Sequence, residues 1–184
     1  MKKPGRPLLY CFTALLSFSA YSAKAQMPHG PYIGLELKTG MPMNKPFSEV
    51  FSQGVGGAAS VGVQVGDNSF VDFTGEVMTH GKKSTIKDEN FKPKNLLSLS
   101  TGFRYNFWQN SEMGFWYVHP RFGLMQVGKD INTLVFTPMA GYSIKGKLNF
   151  YLYFQQTTSS APFAKLSTLG LGTSFNIFTS GSGD

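Results

Sequence analysis

Between residues 31 and 178, apolar and polar side chains alternate in eight runs. In the first, over residues 32–39, Ile33, Leu35 and Leu37 alternate with Gly34, Glu36 and Lys38. The second, over 58–65, puts Val61, Val63 and Val65 on one face. The third, over 69–79, sets Val71, Phe73 and Val77 opposite Asp72, Thr74 and Glu76. In the fourth, over 96–107, Leu97, Leu99, Phe103, Tyr105 and Phe107 oppose Ser98, Ser100, Gly102, Arg104 and Asn106. The fifth, over 115–127, sets Trp116, Val118, Phe122 and Leu124 against Tyr117, His119, Arg121 and Gly123. The sixth, over 133–144, is interrupted by Pro138. In the seventh, Leu148, Phe150, Leu152 and Phe154 alternate with Asn149, Tyr151, Tyr153 and Gln155. In the eighth, Leu169, Leu171, Phe175 and Ile177 alternate with Gly170, Gly172, Ser174 and Asn176. Successive side chains of a strand point to opposite faces, so each run reads as a strand with one apolar and one polar face. A tilted strand of about 8–12 residues crosses a bilayer.

The connections sort by parity. Residues 40–57 and 80–95 form long connections, 158–166 a moderate one and 128–132 a short one. The turns between them, at 66–68, 108–114 and 145–146, are tight or modest, and two carry Gly-Asp-Asn or Lys-Gly-Lys chemistry suited to hairpins. Beyond the N-terminal segment, only residues 46–51 come near a helical turn. The pattern predicts an all-β fold: an eight-stranded, antiparallel, up-and-down transmembrane β-barrel. With the N-terminus on the periplasmic side, the short turns are periplasmic and the long loops face outward. Phe107, Trp108, Phe115 and Trp116 gather at one short turn, and Phe70, Tyr142, Phe150 and Phe178 fall near the same end, as an interfacial aromatic girdle would. The polar faces are small and mostly uncharged, which favours a membrane over a soluble core as the reason for so many aromatics.

Residues 1–25 read as a secretory signal peptide. Lys2, Lys3 and Arg6 precede an apolar stretch, and Ala23-Lys24-Ala25 supplies a small-x-small cleavage site. The apolar stretch is shorter than the roughly 20 residues of a spanning helix. Lipidation at Cys11 is the rival, disfavoured by the bulky Tyr10 before it. Cleavage after Ala25 leaves residues 26–178 as the barrel and 179–184 as a small polar tail. It also changes the charge. Of seventeen basic residues four leave with the signal, so thirteen remain against ten acidic ones, a formal net charge of +3. The basic balance is therefore mostly an export feature and weak support for nucleic-acid binding. The single cysteine also leaves, which excludes disulfide and thiol chemistry from the mature chain.

The eight runs and the last strand, Leu169-Gly-Leu-Gly-Thr-Ser-Phe-Asn-Ile-Phe178, carry a resemblance. The whole mature segment resembles the small eight-stranded outer-membrane barrels, the broad group of OmpA-barrel, OmpX-like and opacity-protein-like domains. Gly172, Phe175 and Ile177 fit the terminal strand that such families present to the barrel-assembly machinery. The pattern departs at Gly170, where a polar residue is usual, and in the six residues after Phe178. The resemblance implies the outer membrane of a Gram-negative envelope, with outer-membrane lipid, lipopolysaccharide and the assembly machinery as partners. It brings no active-site motif.

Chemistry has two candidate locations. An eight-stranded barrel is just wide enough for side chains to fill its interior. The predicted inward charges are Glu36, Asp72 and Glu76 against Lys38, Arg104 and Arg121, three of each sign. Asp72 is expected to pair with Arg104 on the neighbouring strand, and Arg121 with Glu76 or Glu36 across the lumen. Such a set reads as an internal salt-bridge plug, with a proton or ion path as the sharper alternative. His119 is the only histidine predicted inside. With Ser98 or Ser100 on the adjacent strand it is the candidate catalytic base of a lipid A or phospholipid-modifying enzyme, against a plain structural role. The second location is the loop carrying Lys82, Lys83, Lys87, Lys92 and Lys94, with only Asp88 and Glu89 to offset them. If outward, these lysines lie near lipopolysaccharide phosphates or a surface ligand; the alternative is a solvated loop. No metal-ligand spacing, phosphate-binding glycine loop or DNA-reading element is present, so no cofactor or nucleic-acid partner is expected.

The sequence thus points to a non-enzymatic outer-membrane barrel with a filled lumen and a structural or surface role for its loops. A lipid-modifying enzyme on the same scaffold and a soluble, lipocalin-like ligand-binding barrel are the alternatives.

Overall fold

The computed structural model describes residues 30–86, 94–110, 114–128, 131–159 and 165–178, with only the backbone for 108–110. Residues 1–25, read above as a signal peptide, residues 179–184, Lys87 and Lys92 lie outside these residues, as does the Trp108 side chain. The chain forms β1 (Tyr32–Pro42), α1 (Phe47–Val50), β2 (Phe51–Gly66), β3 (Ser69–Lys82), β4 (Lys94–Asn110), β5 (Gly114–Val118), β6 (Arg121–Val127), β7 (Ile131–Thr137), β8 (Met139–Ile144), β9 (Leu148–Thr157) and β10 (Ser167–Phe178). All pairings are antiparallel, and β10 pairs with both β9 and β1, so the sheet closes on itself.

Ten segments make eight crossings. The fifth crossing is β5 followed by β6, broken at His119-Pro120; the sixth is β7 followed by β8, broken at Pro138. Proline has no N–H to give a ladder. The two breaks face each other, with the His119 amide donating to the Met139 carbonyl at 2.8 Å. The proline carbonyls still serve the sheet: Pro120 accepts from the Phe103 amide at 3.1 Å and Pro138 from Phe154 at 3.0 Å. The continuous fifth run expected from the sequence is thus interrupted, while the crossing it makes is intact.

The strands at the α1 end are longer than the alternation indicates. The first connection spans only residues 43–50, rather than 40–57, because β1 and β2 pair as far as Gly40↔Gly54. The reason is physical. Hydrophobic alternation marks only the part of a strand with one face against lipid, whereas backbone groups must stay paired beyond it. Glycine and polar residues therefore continue the ladder unannounced.

The burial pattern is inverted relative to a water-soluble barrel. Phe73, Leu37 and Leu99, at 70%, 69% and 68% exposure, belong to a belt of exposed apolar residues present on every crossing. The inward positions instead include Glu36, Lys38, Asp72, Glu76, Arg104, His119 and Arg121, all buried. A contiguous apolar exterior of this extent fits apolar surroundings. The aromatic girdle is smaller than expected. Trp116 and Phe150 are half-exposed, and Trp116 packs edge-on to Tyr142 at 5.3 Å. Phe70 and Phe115 are buried instead, because they share strand parity with the inward Asp72 and Tyr117.

Candidate functional site

Period two delivers the lumen residues from every wall, and their mutual geometry divides the interior into layers. At the end bearing the tight turns, Tyr32 packs against Phe70 at 5.9 Å and Phe178 at 5.7 Å. Its hydroxyl donates to Asp72 Oδ2 at 2.8 Å, and His119 Nε2 lies 3.0 Å from the same oxygen. In the next layer Arg121 donates to both oxygens of Glu36, at 2.5 and 3.1 Å, and Tyr151 adds a third donor at 2.9 Å. Arg121 also stands 3.7 Å from Asp72, linking the two carboxylates. Farther along, Lys38 pairs with Glu76 at 2.5 Å, Gln155 donates to Glu76 at 3.2 Å, and the Lys38 ammonium sits 4.7 Å above the Tyr153 ring. A buried carboxylate is tolerable when cations and hydrogen-bond donors surround it, as here.

The expected Asp72–Arg104 ion pair is absent. Register places Gly102 opposite Asp72 and Phe70 opposite Arg104. A β-carbon at residue 102 would collide with His119, Asp72 and Arg121; the missing side chain lets the imidazole reach the carboxylate first. Arg104 turns toward the turn end. It donates to Asn106 Oδ1 at 2.9 Å and Asn149 Oδ1 at 3.0 Å, and its guanidinium lies 4.0 Å from the Tyr117 ring centroid and 5.6 Å from that of Phe115. Neutral acceptors and ring faces thus hold this charge. Of the two partners proposed for Arg121, the structure selects Glu36, and Glu76 goes to Lys38.

Sequence reasoning left out the neutral members: Tyr32, Tyr151, Asn149, Asn106 and Gln155. Their strand parity with the charged residues was the available signal. Two residual cavities of about 10 Å³ lie in this region, one lined by Tyr32, Glu36, Arg104, His119 and Arg121, the other by Tyr32, Arg104, Phe115 and Phe178 among others. Each is the size of a single water.

His119 is oriented by a carboxylate, as a general base would be, but among the described residues no serine is hydrogen-bonded to it, although Ser60 and Ser174 line the same small cavity. Ser98 lies opposite Glu76 and Met125, and Ser100 opposite Thr74 and Gly123, displaced along the strands from the Asp72–His119 pair. The polar partners of His119 among the described residues are Asp72 and Arg121. A nucleophile has to lie within hydrogen-bond reach of its base.

The opposite end is apolar. Phe47 of α1 is fully buried, with its ring 4.5 Å from that of Phe51. Met78, Leu96, Met125, Val127 and Leu166 are buried in the same cluster. Lys82 ends β3, Lys94 begins β4 opposite His80, and the Lys83 amide donates to the Val50 carbonyl at 2.9 Å. Three of the five basic-loop lysines are therefore placed around this end.

No protein-family model and no curated protein matches the sequence. Solved structures do. Ail, an outer membrane protein of Yersinia pestis solved in a phospholipid bilayer nanodisc, is 8% identical, with a TM-score of 0.54 over 81% of this chain and 100% of that one. The crystal structure of Ail, the attachment invasion locus protein of the same organism, is 12% identical, with a TM-score of 0.50 over 81% and 99%. This likeness is one of fold: the chain has the closed eight-stranded architecture of small outer-membrane barrels.

Proposed function

We propose that the protein is a non-enzymatic outer-membrane β-barrel whose lumen is filled by side chains and whose outward loops serve the envelope or the cell surface. The observation carrying this reading is the inverted burial: an apolar belt outside, and inside it carboxylates that each face a lysine or arginine at ion-pair distance. A soluble ligand-binding barrel needs the reverse, with a polar exterior and an open apolar cavity. The two water-sized cavities fit a scaffold rather than a pore. That no serine is hydrogen-bonded to His119 among the described residues weighs against acyl transfer. The likeness to Ail supports the fold beneath this reading.

In this reading the signal is cleaved after Ala25, the chain is inserted by the barrel-assembly machinery, and the α1 end faces outward among lipopolysaccharide. The lysines at 82, 83, 87, 92 and 94 then meet anionic groups of that lipid or of a surface ligand. Fractionation combined with proteolysis of intact cells tests the reading. The expected result is recovery with outer membranes, heat-modifiable gel migration and cleavage between residues 82 and 94. Recovery in the soluble periplasmic fraction, or discrete conductance steps in a planar bilayer, would overturn it. Replacing the five lysines with Gln tests the surface role separately; unchanged lipopolysaccharide binding would remove it.

A further inference from the structure

The α1 end of the barrel is closed by a short segment of chain. Met43 donates its amide to the Ser167 carbonyl at 2.7 Å, and Asn44 Oδ1 accepts from the Ser167 amide at 2.7 Å, while the Asn44 side-chain amide donates to the Lys165 carbonyl. At the other end of the segment the Val50 carbonyl receives the Lys83 amide. Between these ties, α1 inserts Phe47 into the mouth. Phe47 meets two rings there: Phe51 below it, and His80 edge-on, with centroids 5.2 Å apart and planes at 89°.

His80 is an unusual component of an apolar seal. It is fully buried. Its Nδ1 lies 3.1 Å from the Ser52 carbonyl oxygen, an atom that only accepts, so Nδ1 carries the proton. Among the described residues its Nε2 has no hydrogen-bond partner. The ring is pressed against the bare backbone of Gly54, where a β-carbon would lie 2.5 to 2.8 Å from three of its atoms. The neutral ring fits this place. A second proton would put a full charge on an Nε2 that has no hydrogen-bond partner among the described residues.

The charged neighbours would not offset that charge. On β4, Lys94 stands opposite His80 in register; on β3 itself, Lys82 lies two residues farther on. The loop-end lysines Lys83 and Lys165 lie on the segments that tie α1 down. The carboxylate of α1, Glu49, is exposed and pairs with Lys45 at 3.0 Å. On the same inward face, Glu76 lies four residues away and is held by Lys38 of β1 and Gln155 of β9. On β9 and β10, Tyr153 and Thr168 lie beside Gly40 of β1, and their hydroxyls are also without a hydrogen-bond partner among the described residues. β2 contributes the Ser52 carbonyl and no charge.

The geometry points to His80 as a proton-binding site that controls the closure of the α1 end: the neutral ring seats Phe47, and protonation expels it, releasing α1 from the mouth. Histidine is the side chain suited to this, since it titrates between about pH 5 and 8. The device makes the outward segment acid-sensitive while leaving the wall of the barrel intact, because the strand ladders do not depend on it.

Hydrogen–deuterium exchange on the purified full-length mature barrel in lipid nanodiscs tests this, with labelling times scaled for the intrinsic pH dependence of exchange. The amides of Ser48, Lys83 and Ser167 report on the closed segment. In the wild type they should exchange about tenfold faster at pH 5 than at pH 7.5, with β-ladder amides unchanged. His80→Gln, which does not titrate, should exchange equally at the two pH values, whether its segment rests closed or open. His119→Gln should keep the wild-type response, separating this site from the lumen network. No acid-induced loosening in the wild type, or the same loosening in His80→Gln, would overturn the assignment.

Discussion

Arg121 grips Glu36 with both terminal nitrogens, at 2.5 and 3.1 Å, and so ties β6 to β1 across the full width of the barrel. A bidentate guanidinium–carboxylate pair is rigid and directional. It is also vulnerable, since removing one partner strands the other charge. Arg121→Met is therefore expected to destabilise the folded barrel by about 3–5 kcal/mol, measured by urea unfolding from vesicles. Adding Glu36→Leu to it should recover most of that loss, because the pair's own desolvation is then abolished. A double variant as unstable as the single one would place the cost in packing rather than charge.

Gly102 works by what it lacks. A methyl there would press on the His119, Asp72 and Arg121 side chains together. Gly102→Ala should cost about 1–3 kcal/mol, typical of overpacking a closely packed site. Removing the imaginary obstacle as well, with Gly102→Ala in a His119→Ala background, should cost less than the separate effects added together. Stabilities from the same urea titration give this coupling directly.

The exterior makes a separate demand. Leu99 is 68% exposed and lies between the exposed Leu97 and Phe103 in the apolar belt on β4. Leu99→Arg should cost about 2–4 kcal/mol in a bilayer, the range for a cation at midplane. Lys83→Gln, beyond the belt, should change stability little. Equal effects at the two positions would mean that residue 99 does not face lipid.

The apolar end offers a fourth test. Phe47 is the largest side chain that α1 buries, and Phe47→Ala should forfeit about 3–5 kcal/mol of local packing. Because α1 lies outside the ladders, the loss should appear as faster protease cleavage within residues 43–50, while heat-modifiable migration remains. Loss of the folded band would show that the segment holds the barrel itself together.

These tests also mark what was legible beforehand. The crossings were readable because lipid imposes one apolar face on every strand, and Leu35, Val77 or Leu152 register that demand individually. Parity placed Glu36, Asp72 and Arg121 inside for the same reason. Partner choice was not readable, since it depends on register and on space that only the closed barrel defines. Arg104 and Asp72 sit on adjacent strands and share an inward face, yet the gap at Gly102 gives Asp72 to His119. The apolar closure was hidden more deeply. Residues 46–51 showed a hint of helix, but nothing in their pattern tells that Phe47 turns into the mouth rather than out of it. The extra length of β2 was invisible because Gly54, Gly56 and Gly57 carry no alternation to read.

The seam between β10 and β1 has a consequence for how such a chain comes into being. Tyr32 and Phe178 are register partners, almost at opposite ends of the described sequence, and ten further pairs follow them to Pro42 and Thr168. Until β10 has been synthesised, β1 has no neighbour on one side, and its unpaired backbone groups are a template for any passing strand. The chain therefore has no finished intermediate to rest in while it grows. It has to be delivered whole, kept from pairing with others on the way, and closed in a single late event where its first strand finally meets its last.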